Sequence, residues 1–183
     1  MPCCPSYAAK VATTWKPTDP KPRTHTMRFS EIHTGQVIHC GPARLSEQQI
    51  TDFARDYDPQ WFHTDAKRAA ASTWKGLIAS GWQTCAVAMR LACDEILAGS
   101  ESFGSPGLAY LKWENPVRPD DTLSLRVDVL DVRVARSNPA LGIVRWRWRL
   151  HNQNEQNVLD LEATSLFDLA DNQSRDLSSS ARA

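Results

Sequence analysis

The stretch from about Gly81 to Ala98 constrains this chain more than any other feature. Ile78, Trp82, Cys85, Met89, Cys93 and Ile96 recur at helical spacing, while Ala86, Val87, Ala88 and Ala92 keep the remaining faces apolar or small. Charge enters only late, with Arg90, Asp94 and Glu95. A helix apolar nearly all round must be covered by something. The chain beyond this helix is strand-like. Leu108–Trp113, Thr122–Ala135, Ile143–Leu150 and Val158–Phe167 carry the alternation of half-buried strands. Ile143–Leu150 sets Val144, Trp146, Trp148 and Leu150 against Arg145, Arg147 and Arg149, so one face is dry and the other wet. In Thr122–Ala135 the apolar parity switches from Leu123, Leu125, Val127 and Val129 to Leu130, Val132 and Val134. Keeping one face to the core then requires an extra residue, so a bulge is predicted near Val129–Leu130. One buried helix and an antiparallel meander make an α+β fold, with the sheet wrapped round a long central helix.

The rest of the chain punctuates this unit. Gly35 to Ala43 reads as a short strand closed by Gly41-Pro42. Ser46 then opens a helix with the Ser-x-x-Gln form of a capping box, and Pro59 ends it. Ala66 to Ser72 reads as another short helix. Residues 1–26 hold Pro2, Pro5, Pro17, Pro20 and Pro22 with little periodicity, and are expected to form an extended or disordered arm; Met27 is an alternative natural start. Residues 27–170 form the domain, and the polar tail 171–183 is expected to fray.

Composition excludes several classes. Formal net charge is zero, which argues against nucleic-acid binding. It also favours association, so a homodimer or higher oligomer is expected. The five cysteines are odd in number and irregular in spacing, which predicts neither a disulfide framework nor a zinc site and fits a reducing cytoplasm. No apolar run reaches the roughly 18 residues of a membrane span.

The chemistry concentrates in Asp56-Tyr57-Asp58-Pro59-Gln60-Trp61-Phe62-His63-Thr64-Asp65. Asp58 and His63 lie five apart across a proline-broken turn. Such a carboxylate and imidazole can hold a water, take its proton and return one. Spacing alone favours a plainer reading, with Asp58 as a cap and His63 as a hydrogen-bonded surface residue. Gly76-Leu-Ile-Ala-Ser-Gly81 leads into the central helix, whose N-terminus offers unpaired N–H groups to a substrate carbonyl. A glycine needed only for close packing would read the same way. Trp61 and Phe62 suit an acyl pocket and a core equally.

Three motifs together resemble a known family. Asp58-Pro-Gln-Trp-Phe-His63-Thr-Asp65, Gly76-Leu-Ile-Ala-Ser-Gly81-Trp and Asn115-Pro-Val-Arg-Pro-Asp-Asp121 are similar, in order and spacing, to the MaoC-like (R)-specific enoyl-CoA hydratases of the hot-dog superfamily. The likeness covers about residues 28–168. It implies a single hot-dog fold, an acyl-CoA substrate, Asp58 and His63 as the catalytic pair and the Gly81 N–H as oxyanion donor. Gln60, Ser80, Trp61 and Phe62 are then expected to line the substrate. The expected reaction is hydration of a 2-enoyl thioester to an (R)-3-hydroxyacyl thioester, or its reverse, with no metal or organic cofactor. Lys112, Arg118, Arg126, Arg133 and Arg136 are candidate partners for the carrier's phosphates, although strand charges usually just face solvent. Gln60 stands where the family often has Asn, and Asp120-Asp121 where it usually has Gly-Asp. Two rivals share the fold: a thioesterase, and a subunit that binds acyl thioesters or dimerises without turnover.

Overall fold

The computed structural model describes residues 27–170. The expected arm 1–26 and tail 171–183 lie outside the described residues. Five strands form one antiparallel sheet: β1 (Val37–Arg44), β2 (Ser102–Lys112), β3 (Thr122–Ala135), β4 (Asn138–His151) and β5 (Asn157–Asp168), in the spatial order β1-β3-β4-β5-β2. Among the described residues, four α-helices precede the meander: α1 (Glu47–Tyr57), α2 (Trp61–Thr64), α3 (Ala66–Ala70) and α4 (Gly81–Ala92). The central helix runs on beyond α4 as a wider π-helical turn, Cys93–Leu97, so it reaches almost as far as its apolar pattern does. α4 packs on β1, β3 and β5 and lies across the sheet. This is the hot-dog arrangement.

The sheet obeys its binary pattern. Val144, Trp146, Trp148 and Leu150 are buried with Leu123, Leu125, Val127 and Val129, under α4 residues Val87, Ala88, Leu91 and Ala92. The register between β3 and β4 shifts between Val129 and Asp131, which is where the parity switch required an extra residue. Outside, the charges of β3, β4 and β5 pair along and across strands. Asp128 receives both Arg126 and Arg149, Asp160 receives Arg147, and Glu162 receives Arg145.

Two expectations need correction. Gly41-Pro42 does not close β1. The strand continues to Arg44 through a register shift between Cys40 and Ala43. β1 is an edge strand, where a missing proline N–H removes no ladder bond. Likewise β2 begins ahead of the expected Leu108–Trp113, because Gly104-Ser105-Pro106-Gly107 belongs to the strand, with register shifts at both glycines. β2 is the other edge of the sheet. One flank of α4 is left open, as a single sheet covering one helix implies. Trp82 is 63% exposed, and Met89 and Ala86 are exposed on the same side. Phe103 and Leu108 are exposed on β2.

Candidate active site

Asp58 is the C-cap of α1. Its backbone leaves helical geometry there (φ −152°, ψ 68°), ahead of Pro59. The chain turns at once, because Gln60 N donates to Asp58 O at 2.7 Å and His63 N donates to Gln60 O at 3.0 Å. That turn starts α2 and brings His63 back toward Asp58. Nε2 of His63 lies 3.2 Å from Asp58 Oδ2. The proline break thus does what the spacing allowed and brings carboxylate and imidazole together.

The segment before α4 completes the enclosure. Gly76 has φ +143°, and a Cβ there would lie 3.2 Å from Arg118 Nη1. Only glycine takes that backbone readily, and the reversal sends 77–80 off as an extended, buried run. Ile78 N donates to Phe62 O, and Ala79 N donates to Val117 O. The run is therefore pinned between α2 and the loop ahead of β3. Its Ile78 carbonyl lies 2.8 Å from His63 Nδ1. A carbonyl can only accept, so Nδ1 carries a proton and Nε2 is left to face Asp58. His63 is 4% exposed, and the Phe62 ring packs edge-on against it at 4.3 Å between centroids.

Ser80 joins the helix to the pair. As N-cap of α4 its Oγ accepts from Trp82 N at 3.2 Å, and its single hydroxyl proton goes to Asp58 Oδ2 at 2.7 Å. Gln60 Nε2 donates to the other carboxylate oxygen at 2.8 Å. Burial pushes the Asp58 carboxyl up, but the bonds from Ser80 and Gln60 and the neighbouring His63 outweigh it. The net position is below the usual carboxylate range, so Asp58 is a stable anion. Both Ser80 and Gln60, expected to line the substrate, thus spend donors on Asp58.

Gly81 opens α4 immediately after Ser80 with ordinary helical backbone. Its need for glycine comes from Trp113, just past the end of β2. A Cβ on Gly81 would lie 2.5 to 2.9 Å from three atoms of that indole. Trp113 Nε1 donates to Gly81 O at 3.0 Å, and the indole also lies by Cys85, whose thiol burial pushes up. Close packing against Trp113 is therefore what requires glycine here. The Gly81 N–H has no acceptor among the described residues. Trp113 was absent from the sequence-derived site, and it contacts a residue 32 positions away without any local pattern to reveal it.

Trp61 packs against the core and lies under Arg68, whose guanidinium carbon is 4.5 Å from the ring centroid. Of the candidate phosphate partners, Arg126 and Arg133 are paired with Asp128 and Asp131, and Arg118 donates to Trp74 O. A cleft of about 390 Å³ lies between Arg118, Asp121 and Asn152–Asn154 and shares no residue with the Asp58–His63 pair. No helix among the described residues is long and apolar enough to cross a membrane.

Known proteins share this fold. The chain is 33% identical over 141 residues to the uncharacterized protein YdeM of Bacillus subtilis (strain 168), covering 77% of this chain and 99% of that one. A solved MaoC-like dehydratase from Rhodospirillum rubrum superposes with a TM-score of 0.71 at 32% identity, over 76% of this chain and 94% of that one. The unliganded R-hydratase PhaJ1 from Pseudomonas aeruginosa superposes with a TM-score of 0.63 at 25% identity, over 78% of this chain and 86% of that one. The family model described as MaoC like domain matches residues 17–145. With that match spanning most of its length, the chain belongs to the MaoC-like domain family.

Proposed function

We propose that this protein hydrates a 2-enoyl-CoA to an (R)-3-hydroxyacyl-CoA, or runs the reverse dehydration. The observation that carries the reading is the 3.2 Å approach of His63 Nε2 to Asp58 Oδ2 beside the N-terminus of α4. With Nδ1 committed to the Ile78 carbonyl, Nε2 faces Asp58 Oδ2 across that gap. A water that donates one hydrogen to each keeps its own lone pair free for attack. Its oxygen adds to the β-carbon, and the alkene electron pair moves to the thioester oxygen as an enolate. The Gly81 N–H meets that developing charge, an effect on the order of 3 kcal/mol for one good donor. The pair keeps the water's proton and delivers one to the α-carbon, so it ends as it began. The R configuration is taken from the likeness to the R-hydratase PhaJ1.

Two further parts belong to the proposal. The first is a homodimer, suited to the open β2 edge and to the exposed Trp82 and Met89 of α4. The second is an acyl-CoA ligand, which goes with a cytoplasmic setting. A thioesterase has less support. The carboxylates of the central helix lie in its final turns, and Asp94 there is tied to Arg90 at 2.7 Å.

The test is hydration of crotonyl-CoA and longer enoyl-CoAs, followed by loss of enoyl absorbance. Asp58→Asn and His63→Ala should each lower kcat/KM by about 10²- to 10⁴-fold. Undiminished hydration in both variants sinks the assignment.

A further inference from the structure

Gln83 lies in the first turn of α4, two residues after Gly81 and three after Ser80. It is 5% exposed. The orientation of its amide is fixed, because Nε2 donates to the carbonyl of Gln49 at 2.8 Å and a carbonyl cannot accept from Oε1. The other end of the amide is different. Oε1 is buried and has no hydrogen-bond partner among the described residues. Nearby buried hydroxyls are satisfied within the protein: Thr84 Oγ1 donates to Ser80 O, and Thr51 Oγ1 donates to Gln48 O. Val87, one turn further along α4, and Ile50, next to Gln49 on α1, are buried and apolar. Gln83 thus presents a lone acceptor beside apolar side chains.

An unpaired buried carbonyl oxygen is costly, and folded proteins keep few of them. A leucine or methionine would fill similar volume without that cost. A donor that arrives with a ligand removes the cost. Position says which ligand. A thioester carbonyl held at the Gly81 N–H starts its acyl chain at the first turn of α4, and Gln83 follows Ser80, which holds Asp58, by three positions, a spacing that puts two side chains on one helix face about 5–6 Å apart. The geometry points to Gln83 Oε1 as a specificity group of the acyl compartment, accepting a hydrogen bond from a hydroxyl or amide N–H carried on the acyl chain. The proposed hydratase function supplies only the identity of the ligand as an acyl thioester. Nε2 is already committed to Gln49, so the site offers an acyl carboxylate an acceptor and no free donor. Dicarboxylic acyl groups are disfavoured for that reason, and plain alkyl groups because they leave Oε1 unpaired.

The experiment compares four-, five- and six-carbon 2-enoyl-CoAs with their terminally hydroxylated and terminally carboxylated counterparts. Hydration kinetics give one reading. Calorimetric binding of the corresponding saturated thioesters gives a second that does not depend on turnover. At one chain length or more, the hydroxylated ligand should exceed its alkyl parent by about tenfold or better in kcat/KM and in affinity, with the carboxylated one weakest. Gln83→Leu should remove the preference for hydroxyl. Each preference is a ratio measured on one protein, so partial misfolding of the variant does not distort it. Equal or better use of the alkyl parents at every length by the wild type overturns the inference. A hydroxyl preference that survives in Gln83→Leu also overturns it. If the wild type hydrates none of these compounds, the proposed function fails and the binding ratios alone decide the role of Gln83.

Discussion

The Trp113 indole occupies the space that a side chain on Gly81 would need, and it ties down the carbonyl of the same residue. The glycine is therefore fixed by a tertiary contact and not by its own backbone, which is ordinary helix. Gly81→Ala should cost about 1–3 kcal/mol in denaturant unfolding, because a methyl 2.5 Å from a ring forces one of them to move. It should also lower kcat by about 10²-fold, since the donor N–H shifts with its peptide. The diagnostic measurement is a double-mutant cycle. In a Trp113→Leu background the stability cost of Gly81→Ala should shrink. Equal costs in both backgrounds would show that Trp113 is not what excludes the methyl.

Ser80 and Gln60 both donate to Asp58, yet their removal should differ. Ser80 is fully buried, so nothing replaces its hydroxyl in Ser80→Ala. The Asp58 carboxyl then loses the largest of the effects that lower it. The acid limb of the kcat/KM profile should move to higher pH, because Asp58 must be ionised to hold the water. The same change removes the N-cap bond to Trp82 N and should cost about 1 kcal/mol of stability. An unmoved acid limb would detach Ser80 from the chemistry.

Gln60 is exposed, so water can take over its bond to Asp58 Oδ1. Gln60→Ala should move the acid limb in the same direction as Ser80→Ala but less far, with stability changed by under about 0.5 kcal/mol. The longer side chain at this position is therefore expected to keep the amide's usual service to the carboxylate. A loss of activity as deep as that of Asp58→Asn would contradict this.

These relationships mark how far the sequence could be read. The dry and wet faces of β4 and the bulge after Val129 were legible because burial on one face of a sheet writes itself into residue parity. The capping box of Ser46 and Gln49 was legible for a similar local reason. Asp58 and His63 were legible as a pair because a proline turn joins them over a few residues. The roles of Ile78 and Trp113 were not. One acts through a backbone carbonyl, which no side-chain identity encodes. The other meets Gly81 across the fold. Edge strands misled for a further reason. Glycine and proline in β1 and β2 look like turns, but an edge needs only half its backbone groups paired. What covers the open face of α4 has no signature in the chain, because an apolar period states that a surface is covered without stating by what.

On the outer face of the sheet, Asp160 is almost fully buried beneath Arg147 and Tyr110, with Arg147 Nε and Tyr110 Oη each donating to Oδ1 at 2.9 Å. The hydrogen bonds from Arg147 hold its carboxyl below the usual range; burial opposes them, and the Tyr110 hydroxyl adds to them. A carboxyl lowered on folding stabilises the native state above its unfolded value, near pH 4, and that contribution disappears as pH falls through the folded value. Asp160→Asn should therefore lower stability at neutral pH by about 2 kcal/mol, a discounted figure for a buried pair because Arg147 is 42% exposed. The gap from the wild type should narrow as pH drops below about 4. Denaturant unfolding of both proteins across that range checks the sign. A gap that stays constant with pH would mean that Asp160 contributes through packing alone, and that its charge adds nothing to the sheet.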